Sequence, residues 1–255
     1  MTEQPPRDLV GSLAKGLDVM AILATRPAGM TLTEMAQEAG LTRAGARRFL
    51  LTLVASGYAA QDGRRFALTP RLLGLARQWL DGSSLWGFAE PHMRKVAVAL
   101  KESCSAAVLS DQDVVYVARV PGERIMSVAL HVGTRLPAYC TSMGRVLLSE
   151  LPEPQLRQFL ADAQIRKLTQ NTATDRERLF DIIRDVAVDG YALVDEELEI
   201  GLRSIAVPIR DRSARIVAAV NVSTQPSRFT VAAMKREILP LLQRAAGDIE
   251  SFFAV

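Results

Sequence analysis

The chain has 255 residues, 49% of them hydrophobic, only two cysteines, and a net charge of +3. That length fits one large domain or two modest ones, the cysteines are too few for a disulfide framework, and no run approaches the ~18 consecutive apolar residues of a membrane span. The charge is uneven: residues 1–80 hold ten Lys/Arg against six Asp/Glu and the remainder twenty-one against twenty-two, which predicts a polyanion partner for the first third alone.

Met1–Leu9 carries acids and two prolines but no apolar segment of a secretory signal, so a cytoplasmic setting is expected. Leu13, Leu17, Met20 and Ala24 then recur at helical spacing and predict one apolar face on a first helix, ended by Pro27 and Gly29. Thr31 and Glu34 have the spacing of a capping box opening a short second helix. Gly40 supplies a turn, and Thr42 is placed to cap a third helix running to about Ser56, with Ala46, Phe49, Leu50, Leu53 and Val54 inward. Two strand-like runs, Tyr58–Ala60 and Phe66–Leu68, flank Asp62-Gly63 and predict a hairpin. Pro70 opens a further helix over Arg71–Leu80, and Asp81-Gly82-Ser83-Ser84 marks a domain boundary.

Helix, short helix, turn, third helix and hairpin is the order of a winged helix-turn-helix. On the third helix Ala44, Arg47 and Arg48 fall opposite the apolar side, and Arg43 projects from its start beside Thr42. Arginine suits both guanine edges and phosphates there, and Arg64 and Arg65 on the hairpin would reach the backbone. Any one of these arginines is also what an exposed helix carries to stay solvated. The coincidence of cap, turn, spacing and wing is what points to DNA.

The second part reads as a helix over Leu85–Glu102, strands at Ser105–Leu109, Val114–Val120 and Ile125–Val132, and helices at Ser142–Glu150, Pro154–Ala161 and Thr174–Val188. Strands at Tyr191–Val194, Arg203–Ile209 and Ile216–Val222 follow, and Val231–Phe253 closes the chain as an amphipathic helix expected to pack on the sheet through Met234, Ile238, Leu241, Leu242 and Ala245. The predicted class is α+β, with an antiparallel sheet packed against helices in this part.

Ser12–Leu17, the run Leu41–Leu50 and Tyr58 resemble the IclR family of bacterial regulators, and so do Gly133–Pro137, Cys140–Leu148 and Glu196-Glu197 through Gly201–Ile209. The segment from Leu136 to Arg145, with Leu41–Ala44, is similar to the Pca/Pob subgroup, which controls catabolism of protocatechuate, 4-hydroxybenzoate and related acids by the β-ketoadipate route. The resemblance implies a winged helix-turn-helix over 1–69, a linker helix over 70–83 and a GAF-like effector domain over 84–255. It also implies homodimers formed through the N-terminal domains and pairing into homotetramers, operator DNA and a small organic acid as partners, RNA polymerase as a further contact, and no cofactor.

The effector pocket is expected where Thr141, Ser142 and Met143 meet the sheet. The amides opening the helix there attract a carboxylate. Asp195, Ser204, Asn221 and Ser223 would line the other wall, and Asn221 stands where family members often have serine. Arg124, His131 and Tyr139 are further candidates for a carboxylate or phenol, without a motif match. Another organic acid pathway, or an enzyme or interaction module in the C-terminal part, is the alternative. Against an enzyme, His92, Cys104, His131 and Cys140 lack metal-site spacing, Cys140 with His131 lacks an orienting partner, and neither a phosphate-binding loop nor a dinucleotide motif is present.

Overall fold

A computed structural model describes residues 10–75, 84–122 and 130–254, which fall into two compact units dividing near Gly82. Residues 76–83 of the expected linker, Arg124 and most of the expected strand Ile125–Val132 lie outside the described residues; residues 130–132 are not strand. No described helix is long and apolar enough to cross a membrane.

The first unit contains α1 (Gly11–Ala24), β1 (Met30–Thr31), α2 (Leu32–Glu38), α3 (Arg43–Ala55), β2 (Ala59–Asp62) and β3 (Arg65–Leu68), with sheet order β1-β3-β2. Its helix starts follow local chemistry. The Thr31 hydroxyl accepts the Glu34 amide at 3.3 Å while the Glu34 carboxylate accepts the Thr31 amide at 2.7 Å, so the capping box is complete. The hairpin turn is Gly63-Arg64, one residue later than Asp-Gly at its centre would give, because Asp62 pairs with Arg65 and Gly63 takes the positive φ of 54°.

The face of α1 differs from expectation. Val19 and Leu23 enter the core with Met35, Ala46, Leu50 and Phe66, whereas Leu13 and Leu17 are 63% and 52% exposed. The helix carries two apolar stripes, and periodicity alone does not say which one meets α3.

The second unit begins with α4 (Ser84–Leu100) and continues with β4 (Ser103–Ser110), β5 (Asp113–Val120), β6 (Arg135–Pro137) and a 3-10 turn, Ala138–Cys140. Next come α5 (Ser142–Leu148), α6 (Glu153–Asp162), α7 (Arg176–Asp189), β7 (Ala192–Asp195), β8 (Arg203–Arg210) and β9 (Ile216–Thr224). A helical turn (Val231–Ala233), a π turn (Met234–Ile238) and α8 (Leu239–Glu250) finish it. The six strands are all antiparallel, in the order β6-β5-β4-β9-β8-β7.

Side chains alternate across this sheet. Ala107, Ala219, Ala206 and Ala192 face α5 and, beyond it, the apolar sides of α6 and α7. These small residues let α5 lie close to the strands. Gly144 lets α5 close equally tightly on the 3-10 turn before it, since a Cβ there would stand 2.1 Å from the Ala138 carbonyl oxygen. The closing helix buries Met234, Ile238, Leu242 and Ala245, as expected, with Leu241 only half-buried, and it packs against β8 and α4.

The strand pair β4–β5 contains a bulge. Ala106 opposes Ala118 but Ala107 opposes Tyr116, so Val117 is an extra residue.

Candidate functional site

Each unit carries one candidate surface. In the first, Thr42 caps α3 by accepting the Gly45 amide at 3.1 Å, and burial of Ala46 and Leu50 turns Arg43, Ala44, Arg47 and Arg48 outward. Arg43, Arg47 and the turn residue Arg64 line a common groove with Thr33 of α2. Among the described residues, none of these three guanidinium groups has an ion pair or hydrogen bond. Three unneutralised cations converging from a helix start and a hairpin tip concentrate positive charge at this groove.

Arg48 lies elsewhere, beside an apolar groove lined by Leu13, Leu17, Phe49 and Tyr58. Arg65 is also diverted: its Nη1 donates to the Gly29 carbonyl at 2.8 Å and ties the wing to the turn after α1. Gly29 makes that contact with φ +75°, where a Cβ would stand 2.8 Å from the Phe66 carbonyl oxygen.

The second unit encloses a cavity of about 20 Å³ between α5, the sheet and the loop after β7. Thr141, Ser142, Met143, Ser204, Asn221 and Ser223 line it, together with Tyr116, Leu130, Cys140, Val194, Leu198 and Leu202. Among the described residues two of its polar atoms have no partner: Ser142 Oγ, in a residue 1% exposed, and Asn221 Oδ1, in one 4% exposed. The Asn221 Nδ2 donates to Ser223 Oγ at 3.2 Å. An unsatisfied buried polar atom costs about 1–3 kcal/mol, a cost that a hydrogen-bonding ligand offsets.

Burial pushes the Tyr116 hydroxyl up to about 12, against the pull of the Arg119 charge, so the phenol stays protonated. Burial likewise lifts the Cys140 thiol to about 12, against the pull of Arg145. A neutral thiol is a poor nucleophile and a poor metal ligand. Among the described residues no cluster of His, Cys, Asp and Glu could hold a metal ion.

Under this cavity Arg145, 2% exposed, donates to both Glu197 oxygens at 2.7 Å and to the Tyr139 carbonyl at 2.9 Å. Glu197 also accepts the Ala173 amide at 2.9 Å, and the Thr169 and Thr172 hydroxyls hold the Glu196 and Glu197 carbonyls at 2.6 Å each. These bonds fix the start of the loop that carries Leu198 and Leu202 over the cavity.

The family of IclR helix-turn-helix domains matches residues 12–63, and that of bacterial transcriptional regulator IclR C-terminal domains matches residues 78–251. The chain belongs to the IclR family. It is thus a transcriptional regulator rather than an enzyme, with DNA and a small-molecule effector as partners. The Pca regulon regulatory protein of Pseudomonas putida is 41% identical over 95% of this chain and 84% of that protein. A candidate transcriptional regulator from Rhodococcus sp. RHA1 is 47% identical in structure-matched residues, with a TM-score of 0.82 over 96% of this chain and 99% of that one. An IclR homolog from Microbacterium hydrocarbonoxydans, solved in complex with 4-hydroxybenzoate, is 26% identical, with a TM-score of 0.80 over 94% and 98% of the two chains.

Three expected effector residues point elsewhere. Asp195 holds Arg203 by two 2.7 Å hydrogen bonds across the β7–β8 edge. The Tyr139 hydroxyl donates to the Arg166 carbonyl at 2.7 Å and accepts its amide at 3.0 Å, at a separate surface cleft. His131 is exposed in the turn leading to β6 and does not line the cavity. Sequence reading missed Tyr116, Leu198 and Leu202. The apolar pair was visible only as ordinary loop leucines, and the Tyr116 signal was hidden by the bulge.

Proposed function

We propose that this IclR-family regulator works in the cytoplasm as a homodimer that reads operator DNA through Thr42, Arg43, Ala44, Arg47 and Arg64, and that it answers to an aromatic or related organic acid bound between α5 and the sheet. The observation that carries the effector reading is the pair of unpartnered buried atoms, Ser142 Oγ and Asn221 Oδ1, in one cavity. The likeness to a homolog complexed with 4-hydroxybenzoate and to a Pca regulon regulator favours an acid from aromatic catabolism as the effector.

The exposed Leu13 and Leu17, with Phe49 and Tyr58 beside them, support pairing of N-terminal units. Two-fold pairing would set two α3 helices in successive major-groove half-sites of a roughly palindromic operator. Tetramers and contact with RNA polymerase extend this assembly.

The tightness of the cavity gives the switch its physical basis. An apolar cavity of roughly 150 Å³ is needed for a benzene ring, so an aromatic acid has to displace Leu198, Leu202 or Leu130. Effector affinity then differs between a closed and an opened loop, and only such a difference can shift DNA binding.

The experiment is thermal unfolding with protocatechuate, 4-hydroxybenzoate, catechol, muconate, β-ketoadipate and glyoxylate, followed by operator gel shifts with the acid that stabilises. A selective gain near 2.7 kcal/mol at a hundred times the dissociation constant is expected from one acid. Absence of stabilisation by all six refutes the effector class.

A further inference from the structure

We propose that Arg119 is the anion-binding residue of this regulator, taking the carboxylate of the acid at the end of the cavity where β4 meets β9. The inference rests on reading the cavity as the effector site and deepens it by saying which group supplies the charge.

The strand register puts Arg119 there. Ser105 opposes Arg119 on β5 and Asn221 on β9, and Ser103 opposes Ser223. Directly opposed residues share a face of a sheet. Arg119, Ser105 and Asn221 therefore form a row across three strands, on the face that holds the cavity. Tyr116, three residues earlier, would point to the opposite face in a regular strand. The extra Val117 restores it to the same side, and Tyr116 lines the cavity. The mutual influence of the Tyr116 hydroxyl and the Arg119 charge agrees with that placement.

The hydrogen bonding shows unfilled capacity. Arg119 donates to the Ser105 and Ser103 hydroxyls at 3.3 and 3.2 Å, both long and both to neutral acceptors. Partial burial lowers its pKa. Among the described residues no carboxylate pairs with it. By contrast, Arg145 and Arg203 of this unit each hold a carboxylate by two 2.7 Å bonds.

The serines hold the guanidinium over β4, where they oppose Asn221 and Ser223 of the cavity wall, and Ser103 is itself held by the Gly122 amide at 3.1 Å. A guanidinium so placed matches the two oxygens of a carboxylate. Among the described residues the neighbouring Arg145 does not compete, since Glu197 neutralises it.

The test is calorimetric titration of the full-length protein with 4-hydroxybenzoate and protocatechuate, each beside its neutral carboxamide. In the unaltered protein the acid should bind at least ~10-fold tighter than its amide. Arg119→Gln should weaken the acid about 30-fold, equivalent to roughly 2 kcal/mol at 1.4 kcal/mol per tenfold, and change amide binding less than about threefold. Arg119→Lys should recover part of the loss. Ser105→Asp supplies Arg119 with an internal carboxylate and should give the same selective loss, which keeps the inference testable if Arg119→Gln does not fold. An unchanged acid-to-amide ratio in the variants overturns the role of Arg119 while leaving the cavity as the effector site. Binding of neither acid nor amide by the unaltered protein overturns the cavity reading and this inference with it.

Discussion

The Glu197→Ala substitution removes the carboxylate that receives two 2.7 Å hydrogen bonds from Arg145 and a third of 2.9 Å from the Ala173 amide. Arg145 is 2% exposed, so the change strands a buried cation. Breaking a buried pair in this way costs about 3–5 kcal/mol. The Glu197 side chain is 12% exposed, which gives water some access and places the expected loss near the lower end. For a unit of about 170 residues, ~3 kcal/mol is a fall of roughly 6–12 °C in melting temperature. Scanning calorimetry of the full chain resolves the C-terminal transition and measures it. The double change Arg145→Leu with Glu197→Leu strands no charge and should lie at least ~1.5 kcal/mol above the single variant, although the Tyr139 carbonyl and Ala173 amide lose partners. A single-variant shift under about 2 °C, or a double variant no better than the single, refutes the account of this pair as the tether of the Leu198–Leu202 loop.

Tyr139→Phe removes the hydrogen bonds to the Arg166 carbonyl and amide at a water-accessible cleft, so it should cost about 0.5–1.5 kcal/mol in a thermal melt and leave effector affinity within ~2-fold. A tenfold loss of affinity in the same titration would mean that Tyr139 faces the ligand after all. Arg47→Gln should weaken operator binding and reduce the salt slope by about one with no change in melting temperature. Arg65→Gln should instead lower stability by about 1 kcal/mol through the lost Gly29 bond, with the slope preserved; the opposite assignment in filter-binding titrations would reverse the roles given to these two arginines. The backbone and hydroxyl of Thr31 hold the Glu34 carboxyl below its ordinary value of 4.5. Because this pKa is depressed by folding, its stabilisation is present above pH 4.5 and lost as pH falls through the folded value. Glu34→Ala should therefore lower the melting temperature at pH 7 but have a smaller effect at pH 3, and an equal fall at both would refute the capping-box contribution.

The legible features were those written within a few residues of one another. Thr31 with Glu34, Thr42 before α3, Gly63 in the hairpin and the alternating strands of the second unit all declare themselves through local hydrogen bonding or period. The lining residues Thr141, Ser142, Met143, Ser204, Asn221 and Ser223 came from family resemblance, and the fold gathers them at one cavity. Asp195 and Tyr139 were misread because the groups that occupy them, Arg203 and Arg166, lie eight and twenty-seven residues away. Polar side chains with such partners look the same in sequence as side chains waiting for a ligand.

The sequence by itself determined a winged helix-turn-helix followed by an antiparallel α/β effector domain, and with it a DNA-binding regulator, because caps, turns and side-chain period act over short spans of chain. Tertiary structure alone decided which stripe of α1 enters the core, which arginines remain unpaired, and that Arg119 and Tyr116 share a face. Those outcomes depend on competition between distant partners and on one extra residue in β5, which reverses every later side chain of the strand.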